Sequence, residues 1–181
     1  MSLSASQNDK NQIVRYKGRV LHTQNFSALC ASDLELKKVS DAFTQYWKTG
    51  YHPSLGKDAA FARPTEMLKL NVRHTHVDNQ DYIPEDSDKK HTGKKSSWDA
   101  WKNIASVQVK CIPTSDCFLV YSVNHNRDAL VMFFVDADAH NITEQEEFKE
   151  AAITISYQFF EKTKTKPMPL EEDLFSDKWK E

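Results

Sequence analysis

The sequence lacks the features that mark several large classes of protein. Its three cysteines include no Cys-x-x-Cys pair, so neither a disulfide framework nor a zinc knuckle is indicated. Four glycines and six prolines in 181 residues exclude a collagen-like or low-complexity chain. No run approaches the roughly 18 apolar residues that a membrane span needs, and the first residues do not resemble a signal peptide. We therefore expect a cytoplasmic protein.

The composition that remains is that of a folded domain with an uneven charge. Hydrophobic residues make up 39% of the chain and aromatic residues 11%, which is enough for one compact domain. Residues 1–110 carry 17 Lys and Arg against 12 Asp and Glu, whereas residues 111–181 carry 7 against 14. This asymmetry is compatible with a nucleic acid bound to one face, and also with two solvated faces of opposite sign.

The apolar pattern predicts two helices and five strands. Capping boxes at Ser32–Glu35 and Thr143–Glu146 predict one helix over about 33–49 and another that ends near Lys162. The strands are predicted at 13–21, 67–77, 104–112, 117–123 and 129–135. The last strand is apolar on both faces and is expected inside the sheet. Because the helices are segregated from the strands, the sequence predicts an α+β fold with a small, mainly antiparallel sheet.

The same pattern suggests how the chain is divided. Residues 1–12 are predicted as a flexible lead and 13–162 as a single domain. Within that domain, 51–64 is interpreted as an ordered loop or short helix of the kind that carries function, and 78–100 as a long basic loop insertion. Residues 163–181 are predicted as an acidic tail whose main apolar anchors are Leu174, Phe175 and Trp179.

A pair of histidines is the first candidate for chemistry. His74 and His76 lie on one face of the predicted strand 67–77. Because the unperturbed pKa of histidine is about 6.5, such a pair suits proton transfer or metal ligation, and the alternative is two structural histidines at a strand end. A metal would need a third ligand, for which His140 or Asp138 is the candidate. No metal-site spacing supports one, so no cofactor is expected.

Charged residues supply two further candidates. Lys57 and Asp58 follow Gly56, where the lysine could neutralise a phosphate and the aspartate could orient a neighbour; a surface ion pair is the alternative. The basic loop, together with an exposed Trp98, could bind RNA by charge and stacking, and a solvated loop is the alternative. The lysines of this loop are Lys89, Lys90, Lys94 and Lys95.

Five short motifs follow one another along the chain. They are Phe43-Thr-Gln-Tyr-Trp-Lys-Thr-Gly50, Leu55-Gly-Lys-Asp58 with Phe61 and Pro64, His74-Thr-His-Val77, Thr114-Ser-Asp116 followed by Leu119-Val-Tyr121, and Ala139-His140. Together they resemble the YafO family of toxins from type II toxin–antitoxin systems over roughly residues 33–160. The second motif looks like the family's aromatic-Gly-Arg-Asp loop, and the third is similar to its His-Ile-His-Leu.

The resemblance implies a fold, an activity and partners. The fold would be RelE-like, and the activity would be ribosome-dependent endonucleolytic cleavage of mRNA without a metal, which inhibits translation. The partners would be mRNA, the ribosome and a cognate antitoxin, with no membrane involved.

The resemblance also implies roles for individual residues. His74 or His76 would act as general base or acid, with His140 as a second group for proton transfer. Lys57 and Arg73 would steady the phosphate, and Asp58 would orient the lysine or a histidine. Tyr121 would stack on a base or simply pack.

The chain departs from the family pattern at two positions, and two alternatives stay open. Lys57 stands where an arginine is expected, and Phe61 where the family often has tyrosine. One alternative is a non-catalytic relative that still binds the ribosome or the antitoxin. The other is a metal-dependent hydrolase that uses His74, His76 and His140.

Overall fold

A five-stranded sheet with helices on both faces forms the body of the protein. The computed structural model describes residues 14–87, 93–103 and 112–181. The strands are β1 (Val20–His22), β2 (Leu55–Ala60), β3 (Val72–Val77), β4 (Phe118–Val123) and β5 (Ala129–Val135). Their order in the sheet is β1-β5-β4-β3-β2, and only the β1–β5 pair is parallel. The predicted α+β fold with a mainly antiparallel sheet is confirmed.

Six helices and one 3₁₀ turn complete the described chain. They are α1 (Gln24–Ser32), α2 (Leu34–Thr49), α3 (Thr65–Lys69), α4 (Lys95–Lys102), α5 (Ala139–Thr143), α6 (Glu146–Thr163) and the turn at Asp177–Trp179. The two predicted helices correspond to α2 and α6. Within the described residues, no helix combines the length and apolar character that crossing a bilayer requires.

The helix ends differ from the predicted caps. Asp33, not Ser32, caps α2, because its Oδ1 accepts from two first-turn amides at 2.9 and 3.0 Å while Ser32 still belongs to α1. Thr143 likewise closes α5, where its hydroxyl donates to the carbonyl of Ala139 at 2.7 Å. Gly50 does end α2 as predicted, with a positive φ of 80° that glycine adopts without strain.

Five predicted segments differ from the structure or lie partly outside the described residues. The strand predicted over 13–21 is confined to β1, and the segment 51–64 contains β2 instead of being a loop. The strand predicted from Met67 begins as α3, and Asn71, at a φ of 47°, turns the chain into β3. The segment 78–100 includes the start of α4. The strand predicted at 104–112 falls almost wholly outside the described residues.

Each face of the sheet has its own hydrophobic core. On the first face, α1, α2 and the C-terminal segment pack on the sheet. On the second face, α3, α5 and α6 pack on it. The first core includes Phe26, Phe43, Trp47, Leu119, Tyr121 and Val131. The second includes Met67, Val72, Phe118, Val120, Met132 and Phe159. β4 contributes to both cores, which explains why all six of its residues are buried.

The acidic segment after α6 packs on the first face. Two of its predicted anchors, Leu174 and Trp179, are buried there. Arg127, which is completely buried, donates to the carbonyls of Leu174, Lys17 and Trp47 and lies 4.3 Å from the Trp47 ring centroid. One buried cation therefore joins the N-terminal and C-terminal segments to α2.

Candidate functional site

Three histidine rings meet on the second face of the sheet, near the start of β4. His74 and His76 project from the same side of β3, with ring centroids 5.3 Å apart. The ring centroid of His140, on α5, lies 6.1 Å from that of His76 and 4.9 Å from that of Phe118. We call His74, His76 and His140 the histidine cluster. Its members come from two elements that only the folded chain brings together.

His74 is held between two aromatic rings. Its ring centroid lies 4.6 Å from that of Phe61 and 4.3 Å from that of Phe118. Its Nδ1 atom is buried and has no hydrogen-bond partner among the described residues. Burial, reinforced by the basic groups nearby, lowers the pKa of His74 to about 3. His74 is therefore neutral at physiological pH.

His76 is also neutral. Its side chain is buried, and its Nδ1 lies 3.0 Å from the amide nitrogen and 2.7 Å from the carbonyl oxygen of Ser115. A ring without a proton on Nδ1 accepts from the amide, whereas a ring with a proton on Nδ1, neutral or cationic, donates to the carbonyl. Burial lowers the pKa of His76 to about 4, although the contact with Ser115 opposes this shift. The lowered pKa makes the His76 ring neutral at physiological pH.

His140 differs from the other two because it is exposed and has a carboxylate partner. Asp116 Oδ1 accepts from the His140 amide at 2.9 Å and lies 2.6 Å from its Nδ1. Burial opposes the ionisation of Asp116, but hydrogen bonds from the amide and ring of His140 outweigh it and lower the pKa of this carboxyl. The sequence alone does not indicate a role for Asp116, because a contact between residues 24 positions apart depends on the topology.

Lys57 adds a cation to this face. Lys57 lies in an irregularity of the β2–β3 pairing between Leu55 and Asp58, two residues before Ala59, which pairs with His74. Its side chain is exposed, and its charge contributes to the lowered pKa values of both buried histidines. The preceding Gly56 is required by packing, since a Cβ there would lie 2.2 Å from the carbonyl oxygen of Pro113.

Asp58, Arg73 and Tyr121 lie on the opposite face of the sheet. Arg73 Nε donates to Asp58 Oδ1 at 2.8 Å, and the Tyr121 hydroxyl donates to Asp58 Oδ2. Burial raises the pKa of Asp58, although Arg73 and Tyr121 oppose the rise. The structure thus does not bring Asp58 to Lys57 or to a histidine, and it does not present Arg73 to a ligand on the histidine face. Tyr121 is fully buried and packs 4.8 Å from Phe43.

The structure describes only part of the basic loop, and the lysines that it describes contact residues close to them in the chain. Lys94 Nζ donates to the carbonyls of Glu85 and Ser87, and Lys95 pairs with Asp99 on α4. Trp98 was expected to be exposed, but it is buried and donates to the carbonyl of Thr114 at 3.2 Å. The remaining lysines, Lys89 and Lys90, lie outside the described residues.

The histidine cluster does not have the geometry of a metal site. Among residues 14–87, 93–103 and 112–181, no three His, Cys, Asp or Glu side chains converge as the ligands of a metal ion would. The face therefore offers one exposed histidine with a carboxylate, two neutral histidines and a lysine. Such groups can transfer protons and stabilise a negative charge.

Comparison with known proteins gives one match. A family model described as toxin YafO, type II toxin–antitoxin system, matches residues 44–161. The matched range contains the histidine cluster, Lys57 and Asp116, whereas α1 and the C-terminal segment lie outside it. No curated protein and no solved structure matches significantly.

Proposed function

Since the chain belongs to the YafO family of toxins from type II toxin–antitoxin systems, we propose that it inhibits translation. The proposed activity is that of a ribosome-dependent endoribonuclease that cleaves mRNA. The observation that supports the proposal is the histidine face, where His74, His76, His140 and Lys57 share one surface inside the matched range.

The proposed reaction uses the ribose as its own nucleophile. A base takes the proton of the 2′-hydroxyl, the 2′-oxygen bonds to phosphorus, and the bond from phosphorus to the 5′-oxygen breaks as that oxygen takes up a proton. The products are a 2′,3′-cyclic phosphate and a 5′-hydroxyl. The histidine cluster would carry out the proton transfer, and Lys57 would stabilise the crowded phosphate. This chemistry requires neither a metal nor a cofactor.

The family also implies a protein partner. A toxin of a type II system is controlled by an antitoxin, and we expect one to bind this chain. Messenger RNA and the ribosome are the partners that the proposed activity adds. We propose that the protein acts in the cytoplasm, where both are present.

One alternative has an observation in its favour. Two of the three histidines are neutral because they are buried, and Asp58 and Arg73 neutralise each other on the far face. Cleavage needs groups that take up or release a proton near neutral pH, and these residues do not supply them. On this alternative, the protein would bind the ribosome or the antitoxin without cleaving RNA.

Primer extension on a defined mRNA, with and without ribosomes, tests the proposal. We expect wild-type protein to cleave only when ribosomes are present and His140→Gln to lose cleavage at least about tenfold. His125→Gln is the matched control, because His125 is an exposed histidine in the turn between β4 and β5, and it should cleave like wild type. A folded wild-type protein that binds ribosomes without cleaving RNA would favour the non-catalytic alternative.

A further inference from the structure

The three histidines of the cluster are not equivalent, and their surroundings separate two kinds of role. Burial keeps His74 and His76 neutral, and the side chains of both are largely withdrawn from solvent. The His140 side chain is 66% exposed, so a substrate can reach it. It is also the only histidine of the cluster whose ring contacts a carboxylate within the described residues.

The contact with Asp116 determines where the proton of His140 lies. An ionised carboxylate only accepts hydrogen bonds, so the 2.6 Å contact between Asp116 Oδ1 and His140 Nδ1 requires the ring proton to be on Nδ1. In the neutral ring, Nε2 then carries the free lone pair. An imidazole without such a partner favours the opposite arrangement, with its proton on Nε2.

The backbone fixes this pair in place. The same Asp116 oxygen accepts from the His140 amide at 2.9 Å, and the amide of Ala139 donates to the Asp116 carbonyl at 3.3 Å. Two backbone amides and one imidazole ring of α5 therefore contact Asp116, in the turn before β4. These backbone contacts hold the Asp116 carboxylate where the His140 ring reaches it.

We propose that Asp116 is a positioning residue that orients His140 and leaves its Nε2 free to accept the 2′-hydroxyl proton. The inference rests on the proposed function and extends it by assigning the role of base to one histidine. When His140 takes the proton, it becomes an imidazolium beside an anionic carboxylate. The 2′-oxygen bonds to phosphorus, and the departing 5′-oxygen takes its proton from water. Asp116 stays ionised throughout and acts on the reaction through His140.

The test combines a spectroscopic measurement with an activity measurement on the full-length protein. Long-range ¹H–¹⁵N correlation spectra of the histidine rings report which nitrogen carries the proton. We expect His140 of the wild type to be protonated on Nδ1, and Asp116→Ala to shift it to the Nε2-protonated form. Asp116→Asn, which retains the acceptor oxygen but loses the charge, should be intermediate. In ribosome-dependent cleavage, Asp116→Ala should lower kcat at least about tenfold without raising KM.

Asp138→Asn is the matched control. Asp138 is also an aspartate beside α5, but its carboxylate contacts Asn141 and it adopts a left-handed φ of 52° that asparagine tolerates. This variant should keep both the wild-type ring signals and the wild-type rate. A wild-type His140 that is protonated on Nε2, or an Asp116→Ala variant that cleaves at the wild-type rate, would overturn the inference.

The two measurements separate the inference from the proposed function. If wild-type protein does not cleave RNA but shows His140 protonated on Nδ1, the proposed function fails and Asp116 loses its catalytic role, although the pair exists as described. If wild-type protein cleaves RNA but the ring proton is on Nε2, the proposed function survives and the inference fails.

Discussion

Asp58 is predicted to stabilise the fold and to take no part in chemistry. Asp58→Ala would leave the Arg73 guanidinium and the Tyr121 hydroxyl without their shared acceptor. The side chains of Asp58 and Arg73 are only 11% and 16% exposed, so water cannot fully replace the lost contacts. Removing one partner of a buried ion pair typically costs about 3–5 kcal/mol. Since domains of this kind are stable by about 5–15 kcal/mol, the variant should lose a large part of its free energy of unfolding.

Urea unfolding followed by tryptophan fluorescence measures this loss. The control is Asp41→Ala, which breaks an exposed ion pair with Lys37 on α2 and should cost less than about 1 kcal/mol. The reasoning would be refuted if Asp58→Ala were as stable as this control. It would also be refuted if Asp58→Asn unfolded like wild type yet no longer cleaved RNA, because Asp58 would then act in the reaction.

The remaining predictions concern the buried histidines, α4, the C-terminal segment and the cation of the site. The free energy of unfolding should fall as the pH is lowered from 6.5 towards 4, because over this range His74 and His76 take up protons only when the chain unfolds. The slope should approach about 1.4 kcal/mol per pH unit for each proton taken up. Urea titrations that give the same free energy of unfolding across this pH range would contradict the prediction. Trp98→Ala should lower the free energy of unfolding by about 3–5 kcal/mol, and an unchanged thermal midpoint would show that this ring is not buried. Arg127→Met should make the C-terminal segment sensitive to limited proteolysis at temperatures where wild-type protein resists it. Lys57→Ala should slow cleavage at least about tenfold while Lys57→Arg retains most of it, and equal rates for both variants would exclude a phosphate contact.

The sequence predicted the elements whose apolar pattern is strong. The helical stripe of α2 and the continuous apolar run of β5 identified these elements within one or two residues. The alternation in β3 correctly placed His74 and His76 on one face. These features depend on local periodicity, which can be read without knowledge of the fold.

The strand β2 could not be predicted, and this error misplaced Asp58. The segment Leu55–Ala60 contains glycine, lysine, aspartate and alanine, which have low strand propensity, so only pairing with β3 makes it a strand. Interpreted as a loop, it left Lys57 and Asp58 free to act together. Pairing with β3 places Asp58 beside Arg73 and Tyr121, on the face away from the histidines.

The pair of Asp116 and His140 depends on the topology alone. Neither residue lies in a periodic segment, and 24 residues separate them. They meet because β4 and β5 pair side by side, which brings the end of β5 back to the start of β4. A sequence motif can indicate each residue, but it cannot indicate their contact.

The chemistry of the RNA ends produced on the ribosome tests the central claim most directly. Cleavage by proton transfer to the histidine face requires the 2′-hydroxyl as nucleophile. We predict a 2′,3′-cyclic phosphate or 3′-phosphate on the upstream fragment and a 5′-hydroxyl on the downstream fragment, identified by mass spectrometry. A 3′-hydroxyl and a 5′-phosphate would show that water attacked the phosphorus, and they would contradict the account.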